Sequence, residues 1–130
     1  MPFYRVEEIE PFEQFQGVHL QIVSGERVML SFVRFDPDGV VPEHSHPHEQ
    51  MGTVLEGAFE LVIAGERRTV QVGDAYWIPG GVPHSARALG RPALALDIFS
   101  PPREEYLRRA GSAGGEERWL NGFSRCRTGS

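Results

Sequence analysis

Residues 39–57 read GVVPEHSHPHEQMGTVLEG, and no other stretch constrains the fold as tightly. They hold three of the chain's five histidines, His44, His46 and His48, with Gln50 just beyond. Imidazole is the commonest transition-metal ligand, and an uncharged side-chain oxygen beside it suits a borderline divalent ion. Residues 44, 46, 48 and 50 share parity, so an unbroken strand would turn all four to one face. Same-face neighbours on a strand lie about 6.6 Å apart, which would separate residues 44 and 50 by about 20 Å. One ion cannot bridge that distance. The chain must fold back between His46 and Gln50, and Pro47 is placed to interrupt the ladder. His44 and His46 are then expected on one strand and Gln50 at the start of the next. Taken alone, the HxHxH run could equally be a chance cluster on a polar loop, since short histidine runs are weak signals.

A second cluster, residues 73–84 (GDAYWIPGGVPH), supplies His84. The two segments are expected to meet around one metal ion. Their spacing resembles the two motifs of the cupin family. The first motif has a glycine, an HxH pair, an acidic residue four positions on and a closing glycine; here these are Gly39, His44, His46, Gln50 and Gly57. The leading gap is one residue short of the usual pattern, and Gln50 replaces the usual glutamate. The second motif, a glycine, then PxG, then a histidine, is matched by Gly73, Pro79, Gly81 and His84, with Ala88 where asparagine often follows. The resemblance implies a cupin double-stranded β-helix, a jelly-roll barrel.

Composition agrees with that class. At 130 residues and 40% hydrophobic, the chain suits one domain with a modest core. Ten prolines and fifteen glycines among short apolar runs favour an all-β protein. The net charge of −5 argues against general nucleic-acid binding, and all thirteen basic residues are arginine. An anionic substrate would meet a mildly repulsive global field, so its attraction must be local. Nothing resembles a signal peptide or a membrane span, which makes a cytoplasmic protein the default expectation. The single cysteine, Cys126, excludes an intrachain disulfide and fits a reducing compartment.

Residues 1–17 mix aromatics with acids and are expected to pack as an arm against the barrel or a partner. The barrel is assigned to residues 18–110, including a short C-terminal helix. Strands are expected at 18–23, 28–35, 52–56, 58–63, 67–72, 75–78 and 94–99, evenly spaced by turns as in a sandwich or barrel. In 28–35 both parities are apolar, which calls for a second cover, either a subunit contact or the arm. A homodimer is expected on that basis. His19 matches no motif and reads as structural or exposed. On 94–99, Asp97 shares a face with Ala93, Ala95 and Phe99, which either lines the lumen or looks outward into solvent. Pro101 and Pro102 end that strand, and REEYLRRA opens the helix. Residues 111–130 are expected to be a flexible linker and tail.

Fold alone does not set function. Gln50 in place of glutamate leaves a bound ion its full charge, which favours an anionic ligand. The ligand set leaves open coordination positions. Asp97, Phe99 and Arg103 follow as an acid, an aromatic wall and a guanidinium suited to a carboxylate. This combination resembles the small pectin-degradation cupins, which linearise unsaturated uronates; their HSHPHEQ run, VLEG turn and downstream Asp-x-Phe and Arg recur here. The resemblance implies His44, His46, Gln50 and His84 as ligands of one divalent transition metal per chain: nickel, zinc, manganese, iron or cobalt. It implies Asp97 and Arg103 as catalytic or substrate-binding residues, with Phe99 beside a small anionic sugar acid. Two other readings stay open: a dioxygenase using the same ligands, and a non-catalytic small-molecule-binding module.

Overall fold

Alternating apolar and polar residues, punctuated by glycine and proline turns, build ten strands in the computed structural model, which describes residues 2–111. In chain order they are β1 (Phe12–Phe15), β2 (Val18–Ser24), β3 (Met29–Phe35), β4 (Val40–His44) and β5 (Glu49–Glu56). There follow β6 (Ala58–Ile63), β7 (Glu66–Gln71), β8 (Ala75–Ile78), β9 (His84–Ala88) and β10 (Ala93–Ser100). A 3-10 turn at Val6–Glu8 precedes β1, and one α-helix, α1 (Glu104–Ala110), follows β10. Expected positions 111–130, with their linker and Cys126, lie almost wholly outside the described residues. Among the described residues no helix is long and apolar enough to cross a membrane.

Two antiparallel sheets face each other, in the orders β1-β2-β3-β10-β5-β8 and β4-β9-β6-β7. The chain crosses repeatedly between them, the course of a jelly-roll barrel. Inward parity on the larger sheet buries Leu20, Ile22, Met29, Val33 and Phe35, and the smaller sheet answers with Phe59, Leu61 and Ala88. Phe35 stacks on Phe59 with ring centroids 4.8 Å apart, joining the layers at the closed end.

β3 corrects the expectation of burial on both faces. Met29, Ser31, Val33 and Phe35 are buried, but Leu30 and Phe32 are only half-buried and Val28 is 46% exposed. The N-terminal segment covers part of the outer face. There the Gln21 amide donates to the carbonyls of Val6 and Ile9, each at 2.9 Å. Residues 12–15, expected within an arm, are β1 itself, an edge strand paired with β2. Farther across that face, Leu30, Ile98, Met51 and Trp77 form one transverse row, and the last three stay exposed.

α1 closes one side of the barrel mouth. Glu104 and Glu105 occupy its first turn and Arg108 and Arg109 its last, each on the favourable end of the helix dipole. Arg109 donates to the Gln14 side chain and the Glu13 carbonyl, both at 2.9 Å, and its guanidinium lies 4.9 Å from the Phe12 ring centroid. Tyr106 packs edge-on against Phe12 at 6.3 Å. These contacts hold the helix start, and with it Arg103, over the lumen.

Candidate functional site

The fold-back demanded by the histidine spacing is a change of sheet. β4 ends at His44 in the smaller sheet, residues 45–48 cross over, and β5 opens at Glu49 in the larger one. His46 therefore lies in the crossing loop and not on a strand with His44, which corrects the expected strand pair. Pro47, which cannot donate to a ladder, sits inside that crossing. His84 opens β9 directly opposite His44 in register. The second motif's loop clasps the first: the Gly81 N–H donates to the His46 carbonyl at 2.7 Å. A side chain on Gly80 would collide with the Pro47 carbonyl, so glycine is what permits this close approach.

The three rings converge. Centroid separations are 4.4 Å for His44 and His84, 4.9 Å for His46 and His84, and 5.6 Å for His44 and His46. One nitrogen from each lies within 4.8 Å of the others. A backbone carbonyl can only accept, so each ring's partner sets its tautomer. His44 Nδ1 donates to Pro42 O at 2.9 Å, His46 Nδ1 to His48 O at 3.1 Å and His84 Nδ1 to Val82 O at 2.8 Å. All three present a bare Nε2 lone pair to one point, and the buried His84 Nε2 has no hydrogen-bond partner.

Gln50 completes the set. Its amide N–H donates to Asp97, which turns Oε1 towards His46 Nε2 at 3.1 Å. Two acceptors then face each other with no proton between them, an unfavourable arrangement unless a cation sits there. Two donors about 2.1 Å from one ion at right angles would be about 3 Å apart, as these are. The residues therefore fit a divalent metal, which His44, His46 and His84 can hold with Gln50 as a fourth donor.

Asp97 resolves the open question of the β10 face. Ala95 and Phe99 on its side are buried, and its carboxylate accepts from the Tyr76 hydroxyl at 2.7 Å inside the lumen. Burial pushes its carboxyl up to about 6, against the restraining hydrogen bonds from Tyr76 and Gln50. Phe99 turns its ring edge to His46 at 5.6 Å. Arg103 is 7% exposed, and its guanidinium lies 4.3 Å from the Tyr106 centroid and 5.3 Å from that of Phe99. One of its nitrogens reaches Glu105 at 3.4 Å, while Nη1 is buried without a partner. All these side chains except His46 and Glu105 border one cavity, which His44 and His84 also line.

His48 packs edge to face with His46 at 5.5 Å but is not one of the three histidines whose nitrogens converge. Its Nε2 meets Glu104 at 3.2 Å, tying the crossing loop to the start of α1, while its carbonyl orients His46. His19 pairs with Asp36 at 3.2 Å, away from the cavity. Sequence reasoning passed over Tyr76 and Phe15. Both border the cavity, Phe15 with its ring 6.3 Å from His44. An alternation count on the short β8 would have turned Tyr76 inward beside Ile78; β1 carried no motif.

Burial, then the charges of Arg103 and His84, lowers His46 to about 4, and burial first of all lowers His84 as well. The unfolded chain takes up the His46 proton from 6.5 downwards. Stability from this residue is thus complete above 6.5 and lost as pH falls towards 4. Asp97 has the opposite sign: its contribution is complete below 3.8 and lost as pH rises through about 6. Each effect is about 3 kcal/mol at most, so they largely offset in metal-free wild type. In metal-free Asp97→Asn, urea unfolding at pH 6.5 and pH 4 should show the acid loss unmasked, larger than wild type by about that amount. Parallel losses in the two proteins would contradict the inward carboxyl.

A family model described as a cupin domain matches residues 31–99. The chain is 31% identical over 107 residues to the pectin degradation protein KdgF of Dickeya dadantii, covering 80% of this chain and 97% of the relative. The structure of KdgF from a Halomonas species superposes with a TM-score of 0.76 at 33% identity, covering 82% of this chain and 98% of that one. An RmlC-like cupin from Shewanella frigidimarina gives a TM-score of 0.77 at 27% identity, over 82% and 96% of the two chains. With its two motifs joined around one cluster of imidazoles at the mouth of a jelly-roll barrel, the chain belongs to the cupin family.

Proposed function

We propose that this protein opens 4,5-unsaturated uronate monosaccharides to their linear keto-aldehydes, at one divalent metal held by His44, His46, Gln50 and His84. The carrying observation is the joint placement of a lumen carboxylate, Asp97, and a buried guanidinium with a free nitrogen, Arg103, beside three convergent Nε2 atoms. Likeness to a pectin degradation protein over nearly its whole length supports the same reading.

The substrate is a cyclic enol ether with a hemiacetal carbon. Opening it breaks the bond between C1 and the ring oxygen, moves the hydroxyl proton off C1, and adds a proton at C4; no atom is gained or lost. Arg103 Nη1, buried and unpaired, is placed to pair with the substrate carboxylate and fix the ring. Phe99 forms the wall against which the sugar lies. Asp97, raised to about 6, can both take the hydroxyl proton and return one at C4 near neutral pH. A bound divalent ion supplies Lewis-acid stabilisation of charge on oxygen, and no redox step is required, so nickel, zinc, manganese, iron or cobalt would serve.

The test is incubation of metal-loaded protein with lyase-generated unsaturated uronate, following loss of the enol-ether absorbance against the spontaneous rate. Acceleration without oxygen uptake is expected. No acceleration rejects the reading, and stoichiometric oxygen consumption transfers it to a dioxygenase.

The exposed row of Ile98, Met51 and Trp77 supports a further part of the proposal, that a second copy of the chain packs on this face as a homodimer. Light scattering at micromolar concentration should give twice the chain mass of 14.5 kDa. The single-chain mass would reject the dimer.

A further inference from the structure

Asp97, Gly52 and Tyr76 lie in one transverse line across β10, β5 and β8, each the direct register partner of the next. One strand, β5, lies between Asp97 and Tyr76, and the two interstrand spacings add to about 10 Å, which two side chains can close only over an empty position. Gly52 is that position. A side chain built there would overlap both the Asp97 Oδ1 and the Tyr76 ring. Its φ is not in the left-handed region, so no turn explains a glycine inside this strand, where glycine packs poorly. The close approach of Tyr76 explains it.

We infer that Tyr76 is a positioning residue, reaching across the gap at Gly52 to fix the Asp97 carboxylate in the lumen. The contact is 2.7 Å from hydroxyl to Oδ1, the length of a hydrogen bond to a charged acceptor. Gln50 supplies a second donor to the same carboxylate. With donors from both β5 and β8, the terminal rotor of Asp97, otherwise broad and loosely held, has one orientation. The Tyr76 ring is itself braced edge-on by Phe59 at 6.4 Å. The role of Gln50 also gains a second reason: an ionised glutamate there could only accept, and would lose the N–H that Gln50 donates to Asp97.

The inference rests on the proposed role of Asp97, so its test has one arm that does not need activity. In zinc-loaded protein at fixed pH, the carboxyl carbon resonance of Asp97, identified by its absence in Asp97→Asn, should move in Tyr76→Phe. Tyr76→Phe removes one oxygen and keeps the ring. It should lower turnover of unsaturated uronate about tenfold with the Michaelis constant within about twofold, and should cost nothing further in an Asp97→Asn background. Gly52→Ala should move the same resonance, because it blocks the approach. An unmoved resonance in Tyr76→Phe overturns the pairing whatever the activity. A moved resonance with wild-type turnover, or an equal loss in the Asp97→Asn background, overturns the positioning role. If wild type fails to open uronates, the proposed function falls, and the resonance alone decides whether Tyr76 holds Asp97.

Discussion

Asp97→Asn is expected to keep the fold and the metal while losing ~100-fold or more of the turnover of unsaturated uronate, the usual scale for a general acid–base group. The substitution preserves size and polarity but cannot carry a proton. Its surroundings make it a clean variant: the Tyr76 hydroxyl at 2.7 Å can donate to the amide oxygen as it does to the carboxylate. Arg103→Lys is the control. It keeps the charge but loses the planar fork and the stacking against Tyr106 at 4.3 Å, so it should chiefly raise the Michaelis constant. Metal content has to be measured on the same samples, because Gln50 bridges Asp97 and the imidazoles. Wild-type turnover by metal-loaded Asp97→Asn would remove Asp97 from the chemistry.

His84→Ala is expected to leave the metal site largely empty. His84 is the only imidazole from the second motif, its Nε2 is buried and otherwise unpartnered, and its Nδ1 is anchored to Val82 at 2.8 Å. Removing it leaves two histidines on a crossing loop and a strand end, with only an amide oxygen beside them. Elemental analysis should find about one divalent ion per wild-type chain and only a small fraction of that in the variant. Full occupancy in His84→Ala would mean that the first motif holds the ion alone, and the two-segment centre would be wrong. The cost to folding should be modest in the metal-free state, since burial already disfavours the charged form of this ring.

Much of the candidate site was legible because histidine spacing leaves a local record. Parity and the 6.6 Å repeat forced a fold-back between His46 and Gln50, and the structure makes it as a crossing between sheets. Alternation on β10 put Asp97 on one face with Ala95 and Phe99, and that face is the inner one. The strands expected from turn residues and apolar runs lie within a residue or two of the observed ones, except that β5 begins three residues before the expected 52; β1 and β9 were not expected as strands.

What the chain alone determines is therefore what depends on neighbours in sequence: ligand types, parity, turns and the identity of the family motifs. What the tertiary structure decides is which distant residues share a row. The common tautomer of three histidines depends on where the carbonyls of Pro42, His48 and Val82 point, and that is set by two loops closing on each other. The reach of Tyr76 to Asp97 over Gly52 depends on β10, β5 and β8 lying side by side, a pairing of segments more than twenty residues apart with no signature in any one of them. The outer face of β3 reads as doubly apolar in sequence, yet its cover is partial, because burial belongs to the whole sheet and not to the strand.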